Sequence, residues 1–171
     1  LNRGSDCDCD NIVKLLAYQE DEQYAYVMQE ACLGGDVFDV LLDQPRQRFT
    51  EPDGANIVSS VTQALASCHR RNIIHRDIKP DNILFNSKSA EVKLTDFTVA
   101  RNELEPGVTR LYDCEGTPCF TAPECHVVET GGYDPFPCDF WSLGVVIYCF
   151  CNFGKLPFYG ESELEIQINS K

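Results

Sequence analysis

The residues best suited to chemistry form one run, His75-Arg76-Asp77-Ile78-Lys79-Pro80-Asp81-Asn82, with Asp96-Phe97-Thr98 beginning fourteen positions beyond Asn82. Each follows a short aliphatic stretch, Ile73-Ile74 or Val92-Lys93-Leu94, so both sit where a strand ends. Phosphoryl transfer needs few protein parts: a carboxylate to orient a hydroxyl and take its proton, a cation on the moving phosphate, and hard oxygen ligands for Mg2+. Asp77 supplies the first, Lys79 the second, and Asn82 with Asp96 the third. A solvated loop carboxylate would explain Asp77 alone, and a simple cap would explain Asp96 alone. Together they require four side chains to converge on a single centre.

The elements that must hold them follow from periodicity and capping. Asn11 to Leu16 and Tyr24 to Gln29 are β-rich runs around the acidic turn Glu20-Asp21-Glu22, which predicts a hairpin. Asp36 near an N-cap starts a short helix, Val37 to Leu42. Thr50-Glu51-Pro52-Asp53 is a helix start, and Ile57, Val58, Val61, Ala64, Leu65 and Cys68 keep an amphipathic spacing to about Arg71. Ile73-Ile74, Ile83-Leu84-Phe85 and Val92-Lys93-Leu94 are expected as three short strands. Between Arg101 and Pro137 lies a long segment rich in Gly, Pro and Thr, of a length usually kept for function. Asp139 to Cys151 is expected as a buried helix and Glu161 to Ile168 as a surface helix.

Composition bounds the rest. With 171 residues, 43% of them hydrophobic, the chain can build one core. Its formal charge of −13 repels a phosphate backbone, which argues against nucleic acid as a partner and is compatible with basic peptides. The most apolar run, Trp141 to Phe153, is too short for a bilayer, which needs about 20 residues. No signal peptide is evident, and the opening Leu1-Asn2-Arg3-Gly4-Ser5 points to a fragment. Ten cysteines without a CxxC pair, beside ample apolar residues, are expected as reduced thiols of a cytoplasmic protein, with the nucleus a second location.

HRDIKPDN resembles the catalytic loop of protein kinases, Asp96-Phe97-Thr98 the magnesium-binding DFG, and Ala122-Pro123-Glu124 the APE that closes the activation segment. Asn11-Ile12-Val13-Lys14-Leu15, Gly116-Thr117-Pro118 and Asp139-Phe140-Trp141-Ser142-Leu143-Gly144 fall where that family places similar motifs, the last on the helix that anchors the catalytic loop. Lys79 and Thr117 are similar to serine/threonine kinases. The resemblance implies an α+β, protein-kinase-like fold with a two-stranded N-lobe remnant and most of a mainly helical C-lobe. In that reading residues 1–30 are the N-lobe remnant and start of the hinge, and 31–171 the hinge and C-lobe without its last helices. The implied function is transfer of the ATP γ-phosphate to Ser or Thr hydroxyls of proteins, with ATP and Mg2+ as cofactors. The alternative is a pseudokinase or scaffold module.

The same resemblance implies roles residue by residue. Asp77, Lys79 and Asn82 would be catalytic, and Asn82 and Asp96 would hold metal. Glu30 and Cys32 would read adenine through hinge backbone, with Gln29, or else Met28, as gatekeeper; Leu84 would floor the purine and Asp36 bind the ribose. His75 would pack on Phe97, with Leu15 joining, and transfer no proton. Arg76 would face the position of an activating phosphate, here Asp113, with Thr109 a competing phosphosite. Thr117 would line the substrate loop, and Asp81 leans towards basic substrates. Thr98 departs from the family glycine and would narrow backbone switching there. Glycine-rich loop and strand lysine are not found before Asn11, so low activity of the chain alone is expected, and Glu124 would lack its usual arginine. The Pro157 to Glu163 stretch looks like the calcium/calmodulin-dependent group, yet no EF-hand loop occurs, so calcium would act through regions outside this chain.

Overall fold

A computed structural model describes residues 9–86, 91–102, 110–126 and 131–171. Asp21 closes the first hairpin: its Oδ1 accepts from Gln23 N and Tyr24 N, both at 2.8 Å. The hairpin pairs β1 (Leu15–Glu20) antiparallel with β2 (Ala25–Gln29), with a bulge between Leu15 and Ala17. β1 therefore starts later than the expected run from Asn11. Residues 11–13 bond elsewhere: Val13 N donates to Leu94 O (2.9 Å) and Leu94 N to Asn11 O (2.8 Å). Their backbone groups are taken by the far sheet, so they cannot also serve the hairpin.

Helix α1 (Val37–Asp43) is capped by Asp36, whose side chain accepts from Asp39 N. Helix α2 (Glu51–His69) is capped by Thr50, which exchanges hydrogen bonds with Asp53. The expected strand at Ile73-Ile74 is reduced to one bridge between Ile74 and Arg101, because the chain turns at once into the catalytic loop. β3 (Ile83–Asn86) and β4 (Glu91–Leu94) form a second antiparallel pair. Helix α3 (Phe136–Cys151) begins three residues before the expected Asp139, and α4 (Glu163–Asn169) starts behind its Ser162 cap.

The main core lies where α1, α2, α3 and the β3–β4 pair meet. Val37, Leu41, Ile57, Val61, Leu65, Ile83, Leu94 and Val146 are buried there, and Phe49 meets Phe150 edge-on at 5.1 Å. Each such side chain contributes roughly 1.5–3 kcal/mol of burial. A smaller cluster of Ala122, Cys125, Tyr133 and Cys138 packs the end of the activation segment onto α3. Among the described residues no helix is long and apolar enough to cross a membrane, and the nine described cysteines are free thiols.

Candidate active site

Asp139 organises the loop from below. Its carboxylate is wholly buried and accepts from His75 N (3.0 Å), Arg76 N (2.9 Å) and His69 Nε2 (2.8 Å). These bonds hold Arg76 at φ 70°, a left-handed conformation costly for a side-chain-bearing residue. His75 is fully buried, with Nε2 donating to Thr95 O (2.9 Å) and Nδ1 accepting from Asp77 N (3.2 Å). Burial lowers its pKa, which keeps the ring neutral. The ring meets Phe97 at 4.7 Å, as expected for a packing role. Leu15, expected beside it, is half exposed and lies outside both core clusters.

Asp77, Lys79, Asn82 and Thr117 make direct contact. Asp77 Oδ1 accepts from Thr117 N (2.9 Å) and Thr117 Oγ1 (2.7 Å); Oδ2 accepts from Lys79 Nζ (2.9 Å) and Asn82 Nδ2 (3.0 Å). Lys79 Nζ also reaches Thr117 Oγ1 at 2.9 Å, and Asn82 Nδ2 donates to Asp77 O at 2.8 Å. Burial pushes the Asp77 carboxyl up, but the donors from Thr117, Lys79 and Asn82 outweigh it and hold the pKa below the ordinary value. Asp77 is thus a carboxylate at neutral pH, able to orient a hydroxyl.

Asp96 joins through backbone: Thr95 N donates to Asn82 O at 3.0 Å, which places Asp96 one residue beyond the loop's tie to β4. Asp96, not Thr98, takes the left-handed conformation, at φ 61°. Its Oδ1 accepts from Thr98 Oγ1 (2.6 Å) and Thr98 N (3.3 Å). Thr98 therefore does more than stiffen the backbone; its hydroxyl occupies one oxygen of the expected metal ligand. Asp96 Oδ2 and Asn82 Oδ1 take no hydrogen bond among the described residues, and two hard oxygens beside a loop suit Mg2+, which completes its shell with phosphate and water.

The expected nucleotide residues lie around the connection between the two sheets. Asp36 and Leu84 form a bridge, and Gly34 N donates to Phe85 O at 2.9 Å. A side chain at Gly34 would meet Phe85 Cβ at 2.7 Å, so glycine permits this approach. Glu30 N donates to Lys14 O, whereas the Glu30 side chain turns to Lys93 Nζ at 3.0 Å. Lys93 is buried and also reaches Asp10 O (2.7 Å) and Glu91 (3.3 Å). Burial would favour its neutral form, but Glu30 and Glu91 more than offset this and keep it charged. Cys32 is half-buried beside these groups. A cavity of about 360 Å3 between Cys9–Asn11 and the C-terminal part of α2 shares no residue with the catalytic loop.

Asp113 meets Arg76, as the sequence suggested. Arg76 Nη1 and Arg101 Nη2 both donate to Asp113 Oδ2 at 2.9 Å, and Arg76 Nε to Val99 O at 2.8 Å. Partial burial raises the Asp113 pKa, while Arg101 and Arg76 outweigh it and hold it below the usual range. Tyr133 OH donates to Asp113 O (2.8 Å). Gly116, at φ 107°, passes so close to Arg76 O that any Cβ there would collide with it. Thr109 lies outside the described residues. Glu124 Oε1 lies 3.7 Å from Cys138 Sγ. Sequence reasoning missed His69, Arg101, Lys93, Tyr133 and the Thr98 hydroxyl; the i-to-i+2 spacing of Asp96 and Thr98 was the one local signal available.

Fold and site together define a protein-kinase-like α+β domain, in which the 75–82 loop and the 117–126 stretch pack on the inner face of α3. The outer face of α3 exposes Phe140, Ile147 and Tyr148, so it is not the wholly buried helix expected from the sequence. The chain belongs to the protein kinase domain family, whose model matches residues 3–171. It is 40% identical over 163 residues to calcium-dependent protein kinase 3 of Plasmodium yoelii yoelii, covering 93% of this chain and 28% of that protein. It is 36% identical over 167 residues to probable serine/threonine-protein kinase MARK-C of Dictyostelium discoideum, covering 95% and 20%. To human cGMP-dependent protein kinase 2 it is 39% identical over 153 residues, covering 90% and 19%. The chain thus spans 19% to 28% of the length of these relatives. Its family is one of ATP- and divalent-metal-using transferases.

Proposed function

We propose that this domain moves the γ-phosphoryl group of ATP onto Ser or Thr hydroxyls of protein substrates. The observation that supports it most is the Asp77 cluster: a carboxylate kept ionised, with Lys79 and Thr117 bonded to it and to each other. Asp77 would orient the acceptor hydroxyl and take its proton as the new P–O bond forms. Thr117, between Asp77 and the activation segment, would set where that hydroxyl enters. Lys79 Nζ would shift from Asp77 to the phosphoryl oxygens. A bound Mg2+ would neutralise phosphate charge, held by Asn82 Oδ1 and Asp96 Oδ2. Leu84 and Asp36 would receive base and ribose, and the backbone of Glu30 and Cys32 the adenine edge.

The Asp113 pairing supports activity without phosphorylation of the activation segment, because the charge facing Arg76 is permanent. The name of the Plasmodium relative carries calcium dependence; here any such control would act from outside this chain. The free thiols favour a cytoplasmic setting. In the full-length protein, Asp77→Asn should lower phosphate transfer to a Ser/Thr peptide about 100- to 10,000-fold while nucleotide binding persists. Full transfer by that variant would end the proposal.

A further inference from the structure

The activation segment meets α3 through two sulfurs. Cys125, in the turn Pro123–His126, and Cys138, in the first turn of α3, have Sγ atoms 3.2 Å apart, and both side chains are buried. Disulfide formation needs about 2.05 Å, so little more than 1 Å of approach separates the thiols from a bond. Beside them is a cavity of about 10 Å3, lined among others by Arg76, Tyr133, Cys125 and Cys138, enough for roughly one water-sized molecule. The geometry points to Cys125 and Cys138 as a modification site at which hydrogen peroxide forms a reversible disulfide between the activation segment and α3. This does not depend on the phosphoryl-transfer reading.

The two thiols are unequal. Hydrogen bonding to Cys138 lowers the Cys125 pKa and raises that of Cys138, with burial adding to the rise. Glu124 Oε1 stands beside Cys138 and can take its proton when it resolves the intermediate, so the first attack falls to Cys125. Its thiolate, having given its proton to solvent, attacks one peroxide oxygen; the O–O bond breaks, Cys125 becomes a sulfenic acid, and hydroxide leaves to be protonated to water. Cys138 sulfur then attacks the Cys125 sulfur, the S–S bond forms, and the sulfenic oxygen departs as a second water. Glu124 Oε1, 3.7 Å from Cys138 Sγ, can accept the Cys138 proton. Two thiols lose two electrons and one peroxide gains them. The bond would fasten the segment one residue from Asp139, whose carboxylate holds the backbone of His75 and Arg76.

The test treats the native protein with hydrogen peroxide, removes the peroxide, unfolds the protein in denaturant so that buried thiols become reachable, blocks remaining thiols with N-ethylmaleimide, and maps peptides without reductant. Expected is a Cys125–Cys138 peptide pair, two hydrogens lighter than its reduced halves and separated by dithiothreitol. Because Cys125→Ser could disturb packing, peroxide protection of Cys138 from N-ethylmaleimide in the unsubstituted protein is the second readout, expected to rise at least 5-fold. Full labelling of both thiols under conditions that oxidise other cysteines would overturn the proposal. So would a linkage of Cys125 to Cys114 in place of Cys138.

Discussion

Replacing Asp139 tests whether one buried carboxylate holds the catalytic loop. Its side chain has no exposed surface and receives three donors, two of them backbone N–H groups of His75 and Arg76. Asp139→Asn keeps one oxygen but turns an amide donor towards at least one of those N–H groups. A buried donor left without an acceptor costs about 1–3 kcal/mol, and the bonds that survive lose their charge assistance. A loss of about 2–4 kcal/mol follows, a large share of the roughly 5–15 kcal/mol that holds a domain folded. Trp141, the sole tryptophan, stands two residues along the same helix and stacks on Phe158 at 5.6 Å, so its fluorescence reports unfolding there. With a urea slope of about 2 kcal/mol per M, the midpoint should fall by about 1–2 M. His69→Ala removes only one donor and its edge contacts with Phe136 and Phe140, so it should cost less. A midpoint for Asp139→Asn within about 0.2 M of the unsubstituted protein would refute the reasoning.

In the full-length protein, Asp113→Ala should reduce transfer about 5-fold, a small effect because Asp113 and Arg101 are both partly exposed; Asp113→Glu should restore most of it, and phosphatase treatment should leave the unsubstituted full-length protein unchanged in a peptide assay. Gly116→Ala should lower kcat/KM at least 10-fold and destabilise by about 1–3 kcal/mol in a urea titration, since φ 107° and the nearby Arg76 O leave no room for Cβ. Acid should destabilise from about pH 6.5 downwards: unfolded chains then bind a proton that buried His75 refuses, so stability falls towards its lowered folded pKa. His75→Phe, which keeps a ring on Phe97, should make that slope shallower between pH 7.5 and 5.5; an unchanged slope would assign it elsewhere.

The sequence by itself determined what is local or chemically singular. Asp36 and Thr50 announce their helices because a cap acts within three residues, and the apolar spacing of α2 marks its buried face because a helix repeats every 3.6 residues. Asp77, Lys79 and Asn82 were legible as a set because few residue types can do that work at that spacing, and Asp113 was legible from its place before Gly116-Thr117. The tertiary structure alone decided contacts between distant residues: His69 with Asp139, 70 positions apart, Lys93 with Asp10, 83 apart, and Cys125 against Cys138. It also decided that residues 11–13 belong with β4. Such contacts form only after loops close and water is excluded, and a buried charge or thiol takes whatever partner packing brings to it. No local pattern encodes that partner, so only the folded chain could name it.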